Sequence, residues 1–102
     1  MYGVSVRQII KTLSGNAFKV FYILLELSIK AKNKNKDHDG WIEISYNQLR
    51  MMTGVETIYR VVDEFNLHPD IITMSMKRGV SNRYRISKNI VDGKINDFVN
   101  RG

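Results

Sequence analysis

Apolar residues recur at helical spacing between residues 16 and 32. Phe18, Phe21, Tyr22, Leu25 and Ile29 fall at i, i+3, i+4, i+7 and i+11, and Val20, Ile23, Leu24 and Leu27 widen the stripe. A face this broad is expected of a central helix, or of one that also meets a second subunit. A shorter helix is expected from about Val6 to Leu13, stopped at Ser14-Gly15. Lys30 to Gly40 reads as a polar loop, and Trp41-Ile42-Glu43-Ile44 then alternates as a short strand. Ser45 with Gln48 three residues on forms a capping box, flanked by Ile44 and Leu49 at the two positions of a hydrophobic staple, so a helix starts at Tyr46. Thr53-Gly54 breaks it, and Val55, Ile58, Val62 and Phe65 restart a helix almost at once. Two helices joined by so short a turn are a helix-turn-helix pattern.

Beyond His68-Pro69-Asp70 the period changes to two. Ile72, Met74 and Met76 are expected on the core side of a strand from Ile71 to Lys77, with Thr73, Ser75 and Lys77 on the other. Tyr84 and Ile86 alternate in the same way with Arg83 and Arg85, and residues 78–82 connect the two strands as a hairpin. Ser87 can cap a last helix from about Lys88 to Val99, with Val91, Ile95 and Phe98 on one face and Gly93 weakening it.

The 102 residues, 43% of them hydrophobic and 25% charged, suit a single globular domain over 1–102, with a core at 16–87 and flanking helices at 6–13 and 88–99. The absence of cysteine excludes disulfide frameworks, Cys-based zinc sites and thiol catalysis. The densest apolar run, Phe18 to Ile29, is too short for a bilayer and carries Lys19 and Glu26. Met1 to Ser14 shows no secretory pattern, so a cytoplasmic location is expected.

Helix, short strand, helix-turn-helix and two-stranded hairpin, in that order, resemble the winged helix-turn-helix family. The residues that carry the resemblance are Trp41-Ile42-Glu43-Ile44-Ser45, Asn47-Gln48-Leu49, Thr53-Gly54-Val55, Thr57-Ile58-Tyr59-Arg60 and Asn82-Arg83-Tyr84-Arg85-Ile86. The chain is most similar to small plasmid- and phage-encoded members that serve replication, partition or transfer, conjugation accessory proteins among them. The resemblance implies an α+β fold, a helical bundle with a short strand and a C-terminal β-hairpin wing. It also implies a sequence-specific double-stranded DNA-binding protein, expected as a homodimer or among other proteins of a DNA-processing complex. A transcriptional regulator of the same fold and a winged-helix protein–protein adaptor remain the alternatives. The chain departs from the family in two respects, its charge and its turn: only Glu56 stands between Gly54-Val55 and Thr57-Ile58-Tyr59, where members commonly have two or three more residues.

Charge localises the expected contact. The chain carries +6, but residues 37–70 hold −5 and residues 71–88 hold +5. The second helix of the helix-turn-helix has Glu56, Asp63 and Glu64 against Arg60 alone, which opposes deep insertion beside phosphates. The hairpin has Lys77, Arg78, Arg83 and Arg85, followed by Lys88, with no acid and with Ser81 and Asn82 as neutral hydrogen-bonding groups. The wing is therefore expected to be the principal DNA-binding element. Arg78 and Arg83 lead it, while Gly79 lets the backbone turn tightly and approach the sugar-phosphate chain. Tyr46 and Asn47 at the first helix start, and Thr57, Tyr59 and Arg60 at the second, are expected to assist where free N–H groups face phosphate.

Other constellations carry less. Asn35, Asp37 and Asp39 begin like a calcium loop, but Tyr46 stands where a bidentate Glu is required and lysines crowd the site. His38 and His68 lack metal-ligand spacing and read as loop residues. Trp41, Tyr84, Met74 and Met76 read as core, and Met51 and Met52 as exposed at the turn. The alternating lysines at 30, 32, 34 and 36 read as a solvated loop, with a phosphate-contacting arm as the alternative. No nucleophile elbow, phosphate-binding Gly loop or carboxylate pair stands out, so neither catalysis, a metal nor a cofactor is expected.

Overall fold

A computed structural model describes residues 6–76 and 82–93. It is an α+β arrangement in which α1 (Val6–Thr12), α2 (Gly15–Lys34), α3 (Tyr46–Thr53) and α4 (Ile58–Phe65) pack beside a sheet of β1 (Ile42–Glu43), β2 (Ile72–Ser75) and β3 (Arg83–Ile86). Residues 88–93 are again helical. The strand order is β1-β3-β2, antiparallel throughout, so the strand last in sequence is central. Tyr84 lies opposite Ile42 on one side and Met74 on the other, and Ile86 lies opposite Ile72. This register turns Tyr84 and Ile86 towards the helices and leaves Arg83 and Arg85 exposed.

The core forms where α2 meets α4, α3 and β3. α2 contributes Ala17, Val20, Phe21, Leu24, Leu25 and Ile29, and α4 contributes Ile58, Val61, Val62 and Phe65 at i, i+3, i+4 and i+7. Val55 is buried in the turn before α4 and is not part of that helix. The side of α2 that faces the core is rotated from the expected stripe. Ala17, Val20 and Leu24 point inward, whereas Tyr22 is exposed and Phe18 half-buried, their rings 6.3 Å apart. A helix this apolar has more hydrophobic residues than one buried face can hold, and small Ala17 lets a neighbour approach closely.

The reading of 30–40 as a loop is corrected by α2, which runs on to Lys34. Lys and Ala are strong helix formers, and Lys32 and Lys34 in the last turn suit the negative end of the helix dipole. Met76 is also corrected. It lies beyond the end of β2 and is exposed, because the alternating pattern outlasts the pairing by one residue, whereas Met74 packs on the core. Trp41 is half-buried at the sheet edge and not a core residue. Ile95 and Phe98 lie outside the described residues. Among the described residues no helix is long and apolar enough to cross a membrane.

Candidate nucleic-acid interface

Local chemistry sets where each candidate side chain starts. The Ser45 hydroxyl accepts from the Gln48 N–H at 3.1 Å while the Gln48 side chain accepts from the Ser45 N–H at 3.0 Å, closing the capping box as expected. Ile44 and Leu49 are both buried as its staple. This holds Tyr46 and Asn47 in the first turn of α3, where helix N–H groups lack intrahelical partners. Gly54 ends α3 in the left-handed region at φ 75°, its N–H donating to the Arg50 carbonyl at 2.8 Å. The Thr53 hydroxyl then accepts from the Val55 N–H at 3.1 Å. These bonds fix the backbone within the four-residue connection between α3 and α4. Thr57 stands at the N-cap of α4 without a side-chain cap bond.

Two contacts join these pieces along one edge. The Ile44 N–H donates to the Asn82 carbonyl at 3.1 Å, which brings the base of the hairpin against the segment entering α3. The Arg50 guanidinium donates from Nη1 to the Asn47 side-chain oxygen at 2.7 Å and from Nε to the Glu56 carbonyl at 3.2 Å, which ties α3 to the turn before α4. These bonds link Asn82, next to Arg83 at the hairpin base, to the segment that enters α3 at Tyr46 and Asn47, and link α3 to the turn that leads to Thr57, Tyr59 and Arg60. Arg83 is exposed opposite Glu43 and Ser75. Tyr59 and Arg60 are exposed, with the guanidinium 5.9 Å from the Tyr59 ring centroid. Lys77, Arg78, Gly79 and Ser81 lie outside the described residues.

Arg85 sits apart from that edge. Its guanidinium lies 5.0 Å from the Trp41 ring centroid, a cation–π contact, and its stem passes so close to Gly40 that a Cβ there would meet it at 3.3 Å. It lines a cleft of about 520 Å³ at the end of the sheet away from the hairpin connection. There Lys32 and Lys88 accompany it, but so do Asp39, Asp70 and Asp92, so the cleft has no excess of positive charge. Of the described residues among those expected at the site, Arg85 is the one that tertiary contacts draw elsewhere.

The acids of α4 are also redistributed. The Glu64 carboxylate accepts from the Ser14 N–H at 2.7 Å, at the positive end of the α2 dipole and away from the start of α4. This leaves Glu56 and Asp63 as the exposed acids near Arg60. Among the described residues the one charge pair within 4.0 Å is His38 with Asp39, so no described Lys or Arg is neutralised by a carboxylate at that range. Asn35 and Asp39 spend their side-chain oxygens on the N–H groups of Asp37 and Trp41, and the described residues hold no group of three or more metal-ligating acids or histidines.

Beneath the edge, Tyr84 is only 1% exposed and its hydroxyl has no hydrogen-bond partner among the described residues. Burial pushes its phenol up from 10.0 to about 12, the nearby Tyr46 adds to the rise, and the Asn82 side chain, close but outside bonding geometry, offsets part of it. Above pH 10 the unfolded chain therefore gives up this proton before the folded one does. Stability should fall between about pH 10 and 12 by ~1.4 kcal/mol per unit at most, some 2–3 kcal/mol in all. Tyr84→Phe should abolish that loss and, at neutral pH, be neutral or stabilising by about 1 kcal/mol, since an unpaired buried hydroxyl is removed. Urea unfolding of both proteins at pH 8 and pH 11 checks this, and parallel pH dependence in the two would refute it.

Arg50, Glu64 and the Asn82–Ile44 contact are the parts that sequence reading missed. Arg50 carries a weak signal in advance, being the one cation in the last turn of α3, three residues after Asn47. The other two join residues dozens of positions apart and have none. No family model, curated protein or solved structure matches this chain.

Proposed function

We propose that this chain is a non-catalytic, sequence-specific double-stranded DNA-binding protein of winged helix-turn-helix type, with the hairpin 77–85 as its principal contact. The observation that carries the reading is that the Ile44–Asn82 bond ties the hairpin base to the segment entering α3, while the Arg50 bonds tie α3 to the turn before α4. No described Lys or Arg has a described carboxylate within 4.0 Å, and of the five bases in the acid-free stretch 71–88, Lys77, Arg78 and Arg83 remain for this contact once Arg85 and Lys88 line the mixed-charge cleft. Phosphate contacts from Arg83, Thr57 and the helix starts would set register, and arginines of the wing would read base edges or a narrow minor groove. A single module of this size covers little DNA, so useful specificity calls for a homodimer or for repeated sites bound side by side. Service in plasmid or phage DNA transfer, replication or partition is the setting suggested by the resemblance.

The test is titration against random and selected duplexes at several salt concentrations. Binding should weaken steeply with salt, with a log–log slope near −0.9 for each phosphate neutralised, and selection from a random pool should return a repeated short motif. Absence of duplex binding even at low salt would overturn the reading in favour of a protein–protein adaptor.

A further inference from the structure

We infer that Arg50 is the positioning residue of this interface, a splint that fixes the start of α4 relative to the start of α3 and so to the wing; the inference rests on the duplex-binding reading above. Three bonds converge on it. Its carbonyl accepts from the Gly54 N–H at 2.8 Å, Nη1 donates to the Asn47 side chain at 2.7 Å, and Nε donates to the Glu56 carbonyl at 3.2 Å. A planar guanidinium, with five donors in a fixed fork, holds a side chain on one flank and a backbone carbonyl on the other with less loss of freedom than a flexible ammonium.

The need for such a splint follows from the connection itself. α4 starts without a side-chain cap from Thr57, and Gly54 in the left-handed region contributes no side chain to packing. Val55 anchors the turn on its inner side, but on the outer side the described bonds run through Thr53 and Arg50. Glu56 stands between the buried Val55 and the uncapped Thr57, and its carbonyl is the atom that Arg50 holds. Asn47 is at the same time prevented from rotating freely, so one donor group on the proposed surface is ordered before any DNA arrives. Preorganisation of this kind raises affinity by lowering the ordering cost of binding.

Positioning is separable from direct contact and from plain stability. Duplex binding of the full chain would be measured for wild type, Arg50→Met, Arg50→Lys and Asn47→Ala, at 10 °C where all are folded, with thermal unfolding recorded alongside. Arg50→Met should lose roughly three- to tenfold in affinity while keeping the wild-type salt slope. Arg50→Lys should not restore it, because an ammonium keeps the charge without the fork geometry. The losses from Arg50→Met and Asn47→Ala should fail to add, as expected for two ends of one bond. Amide shifts in Arg50→Met should change at 47–60 and stay put in the sheet. Rescue by lysine with a shallower slope in Arg50→Met would overturn the inference in favour of a phosphate contact. Wild-type affinity in a variant with lowered thermal stability would overturn it in favour of a purely structural bond. A wild type that binds no duplex would instead sink the reading on which the inference stands.

Discussion

Arg78→Ala and Arg83→Ala are each expected to weaken duplex binding by roughly 5- to 100-fold, the range for loss of one well-made arginine contact. Arg60→Ala should cost about threefold or less, in the range of surface contacts that contribute little. The difference rests on surroundings as much as on charge. Arg83 is exposed on the central strand at the hairpin base, opposite Glu43 but with no salt bridge to it within 4.0 Å, and Arg78 belongs by sequence to the acid-free stretch 71–88. Arg60 shares its exposed side with Tyr59 and Asp63 and stands near Glu56. Arg85→Ala serves as the internal control. Its guanidinium is held against Trp41 beside the mixed-charge cleft, so its removal should disturb the sheet edge more than DNA affinity. Titration of the four variants at one salt concentration decides the matter, and an equal or larger loss from Arg60→Ala would refute the leading role of the wing.

Phe65→Ala should destabilise the fold by about 3–5 kcal/mol, the cost of deleting a large aromatic side chain and leaving a cavity behind. Phe65 is fully buried in the last turn of α4, within the core that α2 and the sheet also line. Few partners can move to fill the space, since α2 spans the whole core and α4 is only 8 residues long. For a domain of this size the loss amounts to a fall in melting temperature of more than about 10 °C. Met51→Ala, at a position 86% exposed, should change stability by no more than about 0.5 kcal/mol. Urea or thermal unfolding of the two variants checks the contrast, and similar losses from both would contradict the packing described.

The start and stop of α3 and the buried face of α4 were legible residue by residue, whereas the end of α2 and the start of α4 were not. Ser45 with Gln48, Thr53-Gly54 and the 3.6-residue spacing of α4 act over a few positions, so the short-range rules of capping and periodicity apply without knowledge of the rest of the chain. The hairpin was legible for the same reason, as Tyr84 and Ile86 alternate with arginines and face Met74 and Ile72 across adjacent strands. The side of α2 that is buried was not, because its residues are apolar nearly all round and the partners α3, α4 and β3 choose the face. Nor was the place of β3 between β1 and β2, which depends on pairing residues some forty positions apart.

The same division runs through the candidate interface. Residue types and net charge, read along the chain, already located the basic hairpin and the two helix starts, because charge and capping chemistry belong to the residues themselves. Which of those residues share an edge is a matter of contacts between distant segments. Glu64 leaves the α4 surface for Ser14, Arg85 leaves the hairpin for Trp41, and Arg50 joins Asn47 to Glu56 only once α3 and α4 are packed. Hydrogen bonds and cation–π contacts act over a few ångströms in space, and a linear sequence does not order its residues by that distance.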